Sequence, residues 1–259
     1  MKEGLREKIE SRGYWRFLFH PVEFKEDRLT RVECYEAVER NNVTLRGWDY
    51  PHVEPQGRGD GRSLAEFIDD GSESWTDWAS QMEFWRYYRS GQFIHYRALS
   101  EDWQDEHGKV LDAFTAGVAK GMGAEYKKST PKVNQFPNNT RLEFVGVIYE
   151  IAEVFEFWRK MVSDLPEIYE SGLAASVEVH NSGNRQLVTS EFQRAAIWNR
   201  RSAIQTIIVP KSMAPQDVVL DTVKQTLDVI MEIFDAFGFA PSRENILTEV
   251  ERYLAGSSR

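Results

Sequence analysis

Apolar residues recur along the chain in two rhythms, and each predicts a different element. In the first hundred residues the rhythm is short. Tyr14 to Phe19 reads as a strand, and Val43 to Trp48 as a second. Phe84 to Tyr88 and Gln92 to Leu99 read as two more, joined through Arg89-Ser90-Gly91 as a hairpin. Between the first two strands Leu29, Val32, Tyr35 and Val38 lie three apart. That spacing predicts a helix with one apolar face, with Asp27 as its N-cap and its end at Asn41-Asn42.

The later rhythm is helical. Leu142 to Leu165 is apolar on most of its circumference, with Glu143, Glu150, Glu153 and Glu156 on the remaining side. It predicts a mostly buried helix whose carboxylates form a solvated face. Ser176 to His180 and Arg185 to Val188 read as a hairpin around Asn181-Ser182-Gly183-Asn184, and Ala203 to Val209 as a central strand. Pro215 opens a helix with Leu220, Val223, Leu227, Ile230, Phe234 and Phe237 alternately three and four apart, and Gly238 supplies its C′ position. A last helix starts at Ser242.

Strands joined by hairpins and helices clustered late predict an α+β fold, a mixed, largely antiparallel sheet packed against several amphipathic helices. Gly121 to Thr140 is a break with three lysines, two prolines and no periodicity. It suggests an aromatic-rich half over 1–120, a loop or linker over 121–140 and a helix-rich half over 141–259, or one continuous domain.

Composition narrows the class. Of 259 residues, 33 are aromatic, and 18 of these lie before residue 104, enough apolar area to offset chain entropy. Cys34 is the one cysteine, which excludes an internal disulfide. No apolar run reaches the ~20 residues needed to span a bilayer. The first residues alternate charges where a signal peptide needs an apolar stretch. The expectation is a soluble, cytoplasmic protein with no membrane partner. A formal net charge of −9 argues against duplex nucleic acid as the default partner, since phosphate neutralisation supplies most of that affinity.

Enzyme signatures for phosphate loops, dinucleotide folds, zinc proteases and nucleophile elbows are absent. Gly57 to Gly61 is a glycine-rich turn without the lysine of a phosphate loop. The glutamate stripe on 142–165 has the spacing of a di-metal helix but lacks the Glu-x-x-His partner. Neither a metal nor a cofactor is expected. Among the histidines, His20 sits at a strand end, His107 in a charged run, and His180 on the outward face with Glu178.

Two constellations remain. Arg46 and Trp48 stand two apart around Gly47, and Trp85-Arg86-Tyr87-Tyr88-Arg89 interleaves rings with guanidinium groups. Such a surface stacks a flat ring while arginine forks onto an anion. The competing reading makes the rings core and the arginines solvated. Candidate ligand-binding residues are therefore Arg46, Trp48, His52, Trp85, Arg86, Tyr88 and His95. The second constellation, His52 and His95 with Asp49, would suit acid–base or metal chemistry if the three converge. A further cluster, Trp198-Asn199-Arg200-Arg201 with Arg185, has the composition of an anion site or of surface ion pairs.

The runs Leu45 to His52 (LRGWDYPH) and Phe84 to Phe93 (FWRYYRSGQF), with the helix around Ile148 to Phe157, resemble a segment accompanying bacterial DNA-binding proteins of the AlbA/Schlafen-like type. The resemblance spans roughly residues 14–239 and does not include the AlbA-type module itself. It implies an accessory or sensing region of a bacterial signalling or defence system and assigns no catalytic residue. The expected function is thus a non-enzymatic binding or sensor protein for an anionic or nucleotide-like ligand or a protein partner. The alternatives are a small metal- or His-dependent hydrolase or phosphodiesterase, and a structural homo-oligomer subunit built on the Leu220 to Phe237 heptads.

Overall fold

The computed structural model describes residues 2–53, 65–78, 81–104, 139–189 and 200–256. The Gly57 to Gly61 turn, His107, Trp198-Asn199 and residues 121–138 of the proposed loop lie outside the described residues.

Among the described residues seven strands, at 65–68, 71–78, 81–88, 93–98, 14–21, 173–180 and 206–213 in spatial order, form one antiparallel sheet. They are β1 (Tyr14–Pro21), β2 (Ala65–Ile68), β3 (Gly71–Trp78), β4 (Gln81–Tyr88), β5 (Phe93–Ala98), β7 (Leu173–His180) and β9 (Thr206–Met213). Because β1 lies between β5 and β7, the sheet draws on both halves of the chain. Two short strands, β6 (Arg141–Glu143) and β8 (Gln186–Val188), pair in parallel beside it. With α1 (Leu5–Glu10), α2 (Arg31–Asn41), α3 (Phe144–Asp164), α4 (Pro215–Leu220), α5 (Thr222–Asp235) and α6 (Arg243–Leu254), the fold is α+β. No helix among the described residues is long and apolar enough to cross a membrane.

Strand alternation decides which side chains face the helices. Phe17 and Phe19 of β1, Phe93 of β5, Trp85 and Tyr87 of β4 and Val177 and Val179 of β7 are fully buried on one sheet face. The α3 side chains Ile148, Ile151, Phe155 and Trp158 lie in the same core, with Trp158 stacked on Phe19 at 4.4 Å. At roughly 1.5–3 kcal/mol for each large apolar side chain buried, this interface dominates the favourable side of folding. Helices α2, α5 and α6 pack around α3. On the opposite face α1 seals a smaller cluster with Leu5, Ile9, Tyr14, Trp75, Phe84 and Tyr96.

Several local expectations are corrected. Residues 43–48 are not a strand but part of a loop closed by the isolated Val43–Tyr50 bridge. The N-cap of α2 is Thr30, in a reciprocal capping box with Glu33. The Asn181–Asn184 turn leads not to a hairpin partner but to β8, which pairs with β6; the antiparallel neighbour of β7 in the second half is β9. β9 ends the strand order, so it is an edge strand, and Pro210 within it fits that place. The Pro215 helix breaks at Asp221 into α4 and α5. Leu227, Ile230, Phe234 and Phe237 of its heptads are buried within the same chain, while Leu220 is 79% exposed.

The carboxylate stripe of α3 is the largest correction. Glu150 is 6% exposed and Glu153 only 1%, so they do not form a solvated face. Their burial requires cations to meet them, and those cations define the site described next.

Candidate functional site

The inward-facing positions of β4 and β5 are not all apolar. Glu83 precedes Trp85 and Tyr87 on β4, and His95 and Arg97 follow Phe93 on β5. Glu83 lies opposite Arg97 in the register, and Trp85 opposite His95. Charge is thereby placed under α3, where Glu150 and Glu153 come down one helical turn apart.

The loop over residues 43–50 brings the remaining groups. Val43 and Tyr50 exchange two backbone hydrogen bonds of 2.8 Å, and Thr44 Oγ1 donates to Asp49. Gly47 turns the chain at φ 76°, a left-handed conformation that glycine adopts without a Cβ penalty. Arg46 and Trp48, on either side of it, reach different carboxylates. The Arg46 guanidinium donates to Glu153 through Nε (3.0 Å) and Nη2, and to Glu150 through Nη2 (3.1 Å). Trp48 Nε1–H donates to Glu83 at 3.3 Å.

Arg97 completes the network, donating through Nη1 to Glu150 at 3.0 Å. Glu83 Oε2 meets His95 Nε2 at 2.7 Å, and His95 Nδ1 meets the Tyr50 hydroxyl at 3.1 Å. Burial by itself would raise the Glu83 carboxyl, but the Arg97 charge and the His95 hydrogen bond outweigh it and hold the pKa at about 2. Burial likewise opposes the Arg46 charge, yet Glu153 and Glu150 push its pKa well above the ordinary value. The Tyr50 phenol is raised strongly, by burial first and by Glu150 next. The two guanidinium groups, Arg46 and Arg97, stand against three carboxylates, Glu83, Glu150 and Glu153, so the network carries no excess of positive charge.

Above the network the surface is aromatic. The Trp48 indole stacks on the His52 ring at 4.4 Å and lies 6.3 Å from Trp78, which is 53% exposed. Trp78 pairs in register with Gln81. Gln81 in turn lines a recess of about 80 Å³ with Trp15, Arg46, Arg97, Ser100, Glu101 and Glu150. Glu101 in that recess has a raised pKa, chiefly from burial. The ledge of rings and the recess therefore adjoin.

Two larger clefts, of about 470 and about 550 Å³, open on either side of residues 239–243. At the second, Lys211 pairs with Glu232 and Arg243 with Asp228 on a partly exposed surface, beside Asp235. Of these three, the smaller recess is the one lined by the buried charges Arg97 and Glu150.

The seven sequence candidates divide accordingly. Arg46, Trp48, His52 and His95 converge around one network. Trp85 joins them, but it is fully buried, with its indole N–H held by the His52 carbonyl at 2.7 Å. Arg86 and Tyr88 alternate onto the opposite face of the sheet, where Arg86 pairs with Glu73, so they stand apart from this ledge. Asp49 is hydrogen-bonded to Thr44, and His95 has both ring nitrogens engaged and no exposed surface. Arg185 is also taken: it is buried against Asp102, not open to an anion.

Glu83 and Trp78 were not among the sequence candidates, Arg97 was read only as a neighbour of the hairpin arginines, and Glu150 and Glu153 were read as solvated. One signal was present. Charged residues at alternate positions shared with Trp85, Tyr87 and Phe93 have to be buried if those rings are, and a buried charge needs a partner. Among the described residues no group of three or more His, Cys, Asp or Glu is arranged to hold a metal ion. Comparisons with protein-family models, curated proteins and solved structures found no match for the chain.

Proposed function

We propose that this chain is a non-enzymatic binding or sensor protein whose ligand site is the Trp48–Trp78 ledge with the adjoining Arg46–Arg97 recess. The carrying observation is that the half-buried Trp48 indole, stacked on His52 and beside the exposed Trp78 ring, is fixed by its N–H to a buried carboxylate that is itself held by Arg97 and His95. A buried ion network is a poor way to gain stability, because desolvation consumes most of the Coulomb gain. It is a good way to hold a ring and a guanidinium in one orientation, which is what a binding surface requires.

The ligand this arrangement fits is a flat heterocycle of the nucleobase kind. Its ring stacks on Trp48 and Trp78, a contact worth about 1–3 kcal/mol per base. Its polar edge faces Arg46 and Gln81. Because the network holds no surplus of positive charge, a phosphate gains little there, and the ring rather than the anion carries recognition. The hydrolase reading draws no support from His95, whose two nitrogens are already bonded inside the core.

Titration with adenosine, guanosine, cytidine and uridine, followed by intrinsic tryptophan fluorescence and by saturation-transfer NMR, tests the proposal. At least one nucleoside is expected to bind, and its 5′-monophosphate to bind no more than about threefold tighter, well below what a phosphate-directed site would give. Trp48→Ala is expected to abolish binding while shifting folding stability by no more than about 1–2 kcal/mol, within the usual range for a single substitution outside the core. Binding that survives in both Trp48→Ala and Trp78→Ala, or a wild-type protein inert to all four nucleosides, overturns it.

A further inference from the structure

One carboxylate serves two masters. Glu153, 1% exposed, accepts from Arg46 of the 43–50 loop and also from the Tyr253 hydroxyl of α6, at 2.5 Å on Oε1. Tyr253 is 1% exposed and stacks on Tyr149 of α3 at 4.1 Å. Besides this bond, α6 is held by Ile246, Val250 and the ring of Tyr253, by the half-buried Leu247 and Leu254 and by the Arg243–Asp228 ion pair, while Glu244, Glu251 and Arg252 of the same helix are exposed. A surface helix with one face in solvent opens locally more readily than the central helix it packs on.

We propose that α6 is the output element of the Arg46 site, coupled to it through Glu153. Arg46 and Tyr253 share the oxygens of one carboxylate, so drawing the guanidinium toward a ligand changes the charge that the phenol faces. The Arg46 bond orients the Glu153 carboxylate for the phenol, and the phenol in turn limits its swing toward Arg97, whose Nη1 lies 3.9 Å from Oε2. The observed Glu153, held by Arg46 and Tyr253, is one state, and a carboxylate released from Arg46 and turned to Arg97 is the second state that the coupling requires. That a ligand sets the switch rests on the function proposed above, but the coupling itself is a property of the free protein and can be measured without one.

Hydrogen exchange of the α6 amides is compared in wild type, Arg46→Met, Tyr253→Phe, the double variant and Trp48→Ala, the last disturbing the same loop without touching Glu153. Arg46→Met is expected to speed exchange over residues 246–254 by about tenfold, inside the usual span of coupling between sites. Tyr253→Phe is expected to speed it comparably, and the double variant to add little more, because both act through one carboxylate. Trp48→Ala is expected to leave α6 unchanged. The coupling is overturned if α6 exchange is unaffected by Arg46→Met, if the two effects multiply independently, or if Trp48→Ala acts as strongly. Should Arg46→Met unfold the chain, Arg46→Lys, which keeps the charge but loses the forked contact, replaces it under the same criteria. A wild-type protein inert to all four nucleosides sinks the function and leaves this result standing; an indifferent α6 sinks the coupling and leaves the ledge.

Discussion

Replacing Asp102 by alanine is expected to cost about 3–5 kcal/mol of folding stability, the range for breaking a buried ion pair from one side. Asp102 and Arg185 are both fully buried, and the carboxylate takes both Nη atoms of the guanidinium. Asp102 also accepts the backbone N–H of Gly13 and of Asn139, each at 2.8 Å. Arg185 in turn donates to the carbonyls of Asn181 and Arg141. One carboxylate thus ties the start of β1, the entry to β6 and the turn after β7. Removing it strands a guanidinium and two amides without water. Gly13 shows how closely the parts fit: a Cβ there would lie 2.2 Å from Arg185 Nη2. Urea unfolding checks the value, with Asp102→Asn expected to fall between wild type and Asp102→Ala. A loss under about 1 kcal/mol would mean that the pair relaxes into solvent and does not staple the three segments.

The second large effect is an acid one. Between pH 4.5 and 2 the protein is expected to lose about 3 kcal/mol through Glu83 alone. In the unfolded chain this carboxyl takes up its proton near the ordinary 4.5, whereas in the fold it stays ionised down to about 2. Across that window the unfolded state binds more protons, so stability falls as pH falls; above about pH 5 the contribution is complete. Asp77, Asp164 and Glu178 are also lowered, burial being outweighed by their cationic hydrogen-bond partners, and they act in the same direction. Glu101, raised by burial, acts in the opposite one. Urea unfolding at pH 2.5, 3.5, 4.5 and 7 measures the slope. Glu83→Gln is expected to be less stable than wild type at pH 7 and to show a shallower fall below pH 4.5. An unchanged slope would assign the acid sensitivity to the more exposed carboxylates.

These predictions rest on buried charge, the feature hardest to see in a linear pattern. Alternation and helical periodicity report apolar residues, and they located β1, β4, β5, α2, α3 and α6 closely. On a helix they do not separate a carboxylate in water from a carboxylate sealed against a guanidinium. Glu150 and Glu153 have the spacing of either, and only the approach of Arg46 and Arg97 makes them interior. The same limit applies to Val43 to Trp48. Its composition suits a strand, but the Val43–Tyr50 bridge and the positive φ at Gly47 close it into a loop that carries Arg46 and Trp48 to separate carboxylates.

The chain by itself determined the α+β class, most of its elements and the concentration of aromatic residues in the half that builds the ledge, because burial of apolar area follows local period. Tertiary structure decided which face each charged side chain meets. Arg86 is one residue from Trp85 yet on the other side of the sheet, and Glu153 is a hundred residues from Tyr253 yet bonded to it. Pairing of charges depends on strand order and helix placement, which are set by long-range packing and leave no trace in nearest-neighbour spacing.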